Sequence, residues 1–169
     1  MWITYKAYVL KAKEIIEQNN YMVLATCNKN RNPWASVVFY AYDYEYNFYF
    51  ISAADSLHVK NLSENPNVAI AIFDSKQVFG PSEGVQIEGT LSEMEDEVKL
   101  SKSRPSRLKS SMYAYYSRMF PSISVQNEKG LQIPEAPQPS GLKFVKLAVV
   151  NAYLTKENKR TEVDLKAPT

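Results

Sequence analysis

Apolar residues recur at helical spacing near the start of the chain: Tyr5, Tyr8, Val9, Ala12, Ile15 and Ile16, with Lys6, Lys11, Lys13, Glu14 and Glu17 between them. The spacing predicts an amphipathic helix over 4–18, ended by Asn19-Asn20. The pattern then changes to short runs rich in Val, Ile, Tyr and Phe broken by turn residues, which predicts strands at 21–27, 34–42, 48–52, 68–73 and 85–91. Polar turns at 28–33 and 43–47 join the first three into an expected antiparallel meander. A short helix over 56–64 interrupts the series and is closed by Asn65-Pro66, because the residue before a proline is pushed out of the helical region. Past this point Glu93, Glu95, Asp96 and Glu97 sit where acidic residues favour a helix start, and helices are predicted over 94–120 with a break at Pro105. Residues 121–141 hold four prolines and two glycines with little periodicity and read as an irregular loop, after which 142–165 returns to strand character.

These elements predict a mainly β domain with helices, an α+β chain of six to seven antiparallel strands forming a single unit over 1–169 with its barrel core at 20–92. So many short strands favour a closed or nearly closed barrel, since a flat sheet would leave unpaired edges. At 169 residues such a domain buries about 70% of its unfolded surface and needs no staple. The single cysteine, Cys27, excludes an intrachain disulfide and reads as a small core residue in a reducing compartment. Twenty Lys and Arg against eighteen Asp and Glu give a net charge of +2, too balanced for a surface devoted to nucleic-acid phosphates. No apolar run approaches the length of a membrane span, so the expected setting is the cytoplasm. One histidine and one cysteine build no structural zinc site, and no phosphate-binding glycine loop is present.

Candidate chemistry gathers at Ser52, Ser56, His58 and Lys60, around the first turn of the second helix. A helix start collects unpaired backbone N–H groups and the positive end of the dipole, and so holds an anion such as a phosphate. In a regular helix residues four apart share a face, so Ser56 and Lys60 converge while His58 acts from the rim. The same residues also read as an ordinary polar surface helix. A Ser-His-Asp triad around His58 lacks any nucleophile-elbow sequence. Tyr40, Tyr42, Tyr44 and Tyr46 alternate and, as a strand, share one face; they and Trp34 read as ligand walls, as interface or as core packing.

The ordered set of strand 34–42, strand 48–52, Ser56-Leu57-His58-Val59-Lys60-Asn61-Leu62, Asn65-Pro66, strand 68–73 and Gly84-Val85-Gln86-Ile87-Glu88-Gly89 resembles the pyridoxamine 5′-phosphate oxidase-like family of FMN-binding split barrels. The likeness covers roughly 20–92, and Tyr115-Tyr116-Ser117-Arg118-Met119-Phe120-Pro121 resembles a small bacterial branch of that superfamily. The resemblance implies an FMN phosphate held at Ser56, His58 and Lys60. It implies a flavin ring lined by Ser36, Val37 and Val38 and by Ile51 and Ser52, with Gln86 approaching from a strand near the dimer seam. It further implies a homodimer with cofactor sites at the interface, acting on an unidentified small molecule. Neither a catalytic side chain nor a metal is assigned. Three departures bear on this. Leu57 stands where the oxidases carry an arginine, His58 replaces a lysine, and the chain has no second histidine for their Arg-x-His substrate element. The implied function is therefore a flavin-dependent oxidoreductase other than pyridoxamine phosphate oxidation. The alternative is a non-enzymatic binder of flavin or haem on the same fold, or one without cofactor, and a deazaflavin in place of FMN also stays open. A third reading, single-stranded nucleic acid stacked on the tyrosines, is opposed by the near-neutral charge.

Overall fold

The computed structural model describes residues 2–43, 45–78, 82–93, 142–157 and 159–168. The described elements are α1 (Trp2–Gln18), β1 (Tyr21–Cys27), β2 (Pro33–Phe39), β3 (Ala41–Tyr42), β4 (Phe48–Ala53), α2 (Leu57–Glu64), β5 (Asn67–Phe73), β6 (Gly84–Glu93), β7 (Leu142–Lys156) and β8 (Lys159–Glu162). The helices expected over 94–120 and the loop over 121–141 lie outside the described residues.

α1 buries the stripe that its spacing announces, with Val9, Ala12, Ile15 and Ile16 all in the core. Its end is satisfied locally, since the Asn19 side-chain amide donates to the Ile15 carbonyl at 2.8 Å. The turn after β1 is an Asn-based loop in which the Asn28 side-chain oxygen accepts from the N–H groups of Asn30 and Asn32 at 2.9 and 3.0 Å. Asp43 organises the next turn. One of its carboxylate oxygens accepts from the N–H groups of Glu45 and Asn47, and the other from the Asn47 amide and the Tyr49 hydroxyl, each at 2.9 Å.

All described strands join one antiparallel sheet in the order β2-β1-β5-β6-β7-β4-β3, with β8 paired to the far end of β7, beyond the stretch that β4 occupies. The expected meander is corrected here. β1 and β2 do pair, from Tyr21↔Phe39 to Cys27↔Pro33. β3 and β4 also pair across the 43–47 turn, at Ala41↔Tyr49 and Tyr42↔Phe48, while the other edge of β4 takes β7, from Phe48↔Leu147 to Ala53↔Leu142. The predicted strand 34–42 breaks at Tyr40, so that β2 and β3, at opposite ends of the strand order, are separated by one residue. The chain itself joins the two ends of the sheet, which curls into a half-barrel. Tyr40 is fixed at this crossing by two hydrogen bonds, its N–H to the Asn20 carbonyl at 3.1 Å and its hydroxyl to the Ile16 carbonyl at 2.6 Å. Phenylalanine would keep the backbone bond but lose the hydroxyl bond, whose net contribution of about 0.5–1.5 kcal/mol favours tyrosine at this buried position.

The concave side of the sheet is filled by residues at alternate strand positions, Met22 and Leu24 of β1, Phe48 and Phe50 of β4, Ile70 and Ile72 of β5, Val85 and Ile87 of β6, with α1 laid against them. Tyr42 and Tyr46 stack at 5.5 Å between centroids and Tyr42 lies 6.2 Å from Phe48, so these two rings pack against the core; Tyr44 lies outside the described residues. Gly89 is required at a register shift in β6, because a Cβ there would stand 2.7 Å from the Ala148 carbonyl oxygen. Cys27 is half-buried at the end of β1 rather than sealed in the core, since its strand position faces away from the concave side.

The convex side differs in kind. β1, β2 and β5 are adjacent and contain no charged residue. Their outward positions leave Val37 71%, Tyr21 59% and Phe73 45% exposed, among the small side chains of Ala25, Ala35, Ala69 and Ala71.

Candidate functional site

α2 sits against β1 and β2, beside the seam where β2 and β4 approach without pairing. Its register buries His58, Val59, Asn61 and Leu62 and leaves Leu57 and Lys60 outward. His58 is thereby carried into the seam, where it is only 9% exposed and lies beside the Phe50 ring at 6.0 Å. β2 brings Ser36 to its Nδ1 at 3.0 Å, and β4 brings Ser52 to its Nε2 at 2.7 Å. Ser56 adds a third hydroxyl 3.3 Å from Nε2 and 3.2 Å from the Ser52 hydroxyl. The imidazole thus bridges two strands whose backbones do not hydrogen-bond to each other.

Ser56 belongs to this group for a reason that helical spacing hides. It is the residue before the helix, with extended backbone at φ −63° and ψ 147°, and its hydroxyl does not cap α2. It donates to the Ala53 carbonyl at 2.7 Å instead. The first N–H groups of α2, at Leu57, His58 and Val59, therefore receive no acceptor from the helix or from the cap side chain. Lys60 lies one turn on, its N–H bonded to the Ser56 carbonyl at 3.0 Å and its side chain exposed.

The other sequence-predicted positions divide by strand parity. Ser36 faces the seam, Val37 points to the convex side and Val38 is in the core. Ser52 faces the seam while Ile51, half-buried, points the other way. Gln86 is exposed on β6, in a row that runs Val37, Val23, Ala71, Gln86 across the sheet. The structure brings Ser36, Ser52, Ser56 and His58 together and leaves Val37, Val38, Ile51, Lys60 and Gln86 outside that cluster.

Three features escape the sequence reading. The Trp34 indole N–H donates to the Ser36 hydroxyl at 3.0 Å, tying the half-exposed ring to the cluster. Asn61, three residues after His58 and on the same helix face, donates to the Thr26 hydroxyl at 3.0 Å with both residues buried; the spacing alone signals it. Lys143 of β7 stands directly across from Ser52, as only the β4–β7 register discloses, and pairs with Glu93 of β6 at 2.8 Å. A separate cleft of about 460 Å³, lined by Tyr5, Glu45, Tyr46 and residues of β7 and the segment after β8, contains none of these groups. Among the described residues no group of three His, Cys, Asp or Glu is placed to hold a metal ion, and no helix is long and apolar enough to cross a membrane.

Burial holds the His58 imidazole below the ordinary histidine range. The sign for stability follows from linkage. An unfolded histidine takes up its proton near pH 6.5, whereas the folded one resists until lower pH, so the contribution is intact above the unfolded value and is lost as pH falls through the folded one. The urea midpoint is expected to fall on acidification from about pH 7.5 to about pH 5. A His58→Gln chain, which cannot take up that proton, is expected to show a shallower fall over the same window; an identical slope would contradict the assignment.

A family model described as pyridoxamine 5′-phosphate oxidase matches residues 10–156. The chain belongs to the pyridoxamine 5′-phosphate oxidase-like family. Within this oxidase-like family, a pyridoxine/pyridoxamine 5′-phosphate oxidase of Ehrlichia ruminantium is 39% identical over 76 residues, covering 45% of this chain and 37% of that protein. The chain thus matches well under half the length of this curated relative. Among solved structures, a Clostridium acetobutylicum protein related to general stress protein 26 superposes with a TM-score of 0.63 at 12% identity, covering 93% of this chain and 94% of that one. A haem binding protein from Mycobacterium smegmatis gives 0.62 at 20% identity, covering 92% and 57%. At these identities the two structures establish the split-barrel fold.

Proposed function

We propose that the chain is an FMN-binding, homodimeric flavin-dependent oxidoreductase of the cytoplasm, acting on a small molecule. The observation that carries the reading is the hydroxyl and imidazole cluster at the start of α2, on the segment that supplies phosphate ligands in the resemblance described above. The residues present fit a phosphate. The Ser56 hydroxyl is turned to the Ala53 carbonyl rather than onto the helix, so the N–H groups of Leu57, His58 and Val59 stay open to an anion, beside the hydroxyls of Ser52 and Ser56. Lys60 contributes charge from the exposed side. In this reading the strand segments 36–38 and 51–52 line the ring, and bound flavin supplies the hydride and electron chemistry. The protein orients the phosphate, shields the ring and assigns no side chain to proton transfer.

A second copy seated on the charge-free convex face completes the site. Exposed apolar strands of this kind are covered in stable proteins, and Gln86 borders the face, where a dimer brings it toward the ring. A haem reading, prompted by the mycobacterial neighbour, lacks its usual protein ligand, because both nitrogens of the chain's sole histidine are engaged by hydroxyls. The second reading is a flavin binder without enzymatic turnover, and Leu57 favours it, since the anion site lacks the arginine expected there.

A visible spectrum of the freshly purified protein tests the proposal. Two flavin bands that bleach with a nicotinamide donor are the expected result. Flavin bands that resist every donor would support the binder, and a Soret band would overturn the flavin reading.

A further inference from the structure

The hydrogen bonds around His58 fix where its proton sits. The Trp34 indole N–H can only donate, so the Ser36 oxygen accepts it. The Ser56 hydroxyl proton goes to the Ala53 carbonyl. If Nε2 were bare, Ser52 would donate to it, and the 3.2 Å contact between Ser52 and Ser56 would contain no proton at all. With the proton on Nε2 every contact is satisfied in one direction: Trp34 to Ser36, Ser36 to Nδ1, Nε2 to Ser52, Ser52 to Ser56 and Ser56 to Ala53. The satisfied network therefore assigns the neutral Nε2–H tautomer.

Among the described residues no carboxylate offsets a charge on this ring. The ionisable side chains on the elements packed around it are Tyr21 and Cys27 on β1, Tyr49 on β4, Asp55 in the turn before α2, and Lys60 and Glu64 on α2; Lys143 of β7 stands across from Ser52 and is paired with Glu93. β2 and β4 present Trp34, Ser36, Phe50 and Ser52 to the ring, none of them acidic. Among the described residues nothing balances an imidazolium here, and a bound anion would.

We propose that binding of a phosphomonoester dianion at this site is coupled to proton uptake by His58. The inference rests on the phosphate-binding reading above and adds its regulation. The ligand's charge settles at the Ser52 and Ser56 end, toward which Nε2–H already points. One proton from solvent adds to Nδ1, the Ser36 O–H···N bond reverses to N–H···O, and the Ser36 hydroxyl rotates while its oxygen still accepts from Trp34. A lysine in place of His58 would stay charged in both states. Here the cation exists only while the anion is held, so affinity rises as pH falls for as long as the phosphate stays a dianion, down to about pH 6. Burial of the neutral ring in the free chain agrees with this direction.

The sole histidine makes the test free of assignment ambiguity. In the uniformly nitrogen-15-labelled full chain, long-range proton–nitrogen spectra near pH 7 should show the Nε2–H neutral pattern without ligand. Saturating FMN should move both ring nitrogens to the imidazolium pattern and raise the titration midpoint of His58 by about one pH unit or more, whereas riboflavin, which has no phosphate, should leave it in place. FMN that binds, as read from its own fluorescence, while the ring stays neutral overturns the coupling and leaves the flavin reading standing. A neutral Nδ1–H pattern in the free chain also overturns it. FMN fluorescence that never changes on addition of protein overturns both.

Discussion

Val37→Asp is expected to convert the proposed dimer to monomers and to remove most flavin affinity while the barrel stays folded. Val37 is 71% exposed in the protomer, so a carboxylate there is solvated and the fold loses little. In the proposed dimer the same carboxylate would be sealed against the apolar convex surface of β1, β2 and β5, where an unpaired charge costs several kcal/mol. A loss of about 3 kcal/mol corresponds to dimer dissociation roughly a hundredfold easier. Because Val37 belongs to the strand that lines the proposed ring site, flavin binding should fall with assembly. Sedimentation across a concentration series, read beside the far-ultraviolet dichroism, checks both. A Val37→Asp chain that remains a dimer with full flavin content would place the interface elsewhere.

Leu57→Arg is the second large effect, and its sign is a gain. Leu57 is the first residue of α2 and is 44% exposed, so its replacement disturbs no core contact. A guanidinium at this position stands beside the open N–H groups of the first turn and can grip a phosphate with two parallel hydrogen bonds. Charge-assisted hydrogen bonds contribute about 1.5–3 kcal/mol, which predicts FMN binding tighter by roughly ten- to a hundredfold. Riboflavin affinity should not change. Equal improvement for both ligands would mean that the arginine acts on the ring or on stability, and no improvement would mean that the phosphate lies away from the start of α2.

The sequence discloses those parts of the fold that depend on local periodicity. α1, α2 and most strands are visible as apolar stripes of period 3.6 or 2, and the parity that sends Ser36 and Ser52 inward is readable from the strands themselves. Pairings between distant segments are not visible in this way. Nothing local says that Phe48–Ala53 lies against a strand more than ninety residues later, or that the aromatic run 34–42 crosses at Tyr40 from one end of the sheet to the other. Every residue in that run suits a strand, so the break has no compositional mark.

The candidate site shows the same division. His58 is marked as the sole histidine, and Ser52 and Ser56 by their closeness to it. Its burial is not marked, because burial depends on where α2 docks against β1 and β2. The helical-wheel argument that sets His58 apart from Ser56 fails at one residue, since Ser56 precedes the helix with extended backbone and its hydroxyl swings to Nε2. The Trp34–Ser36–His58 chain comes from a strand twenty-two residues upstream and needs the tertiary structure to be seen.

If the seam between β2, β4 and α2 holds a phosphate ester, as proposed, a paired fluorescence titration with FMN and riboflavin will separate the two ligands. The two ligands share a ring system and differ in the phosphate. FMN is expected to bind at least about a hundredfold more tightly than riboflavin, and a chain carrying Ser56→Ala and Lys60→Ala should shrink that ratio about tenfold or more. Equal affinities for the two flavins, or a ratio untouched by the double substitution, would contradict the account.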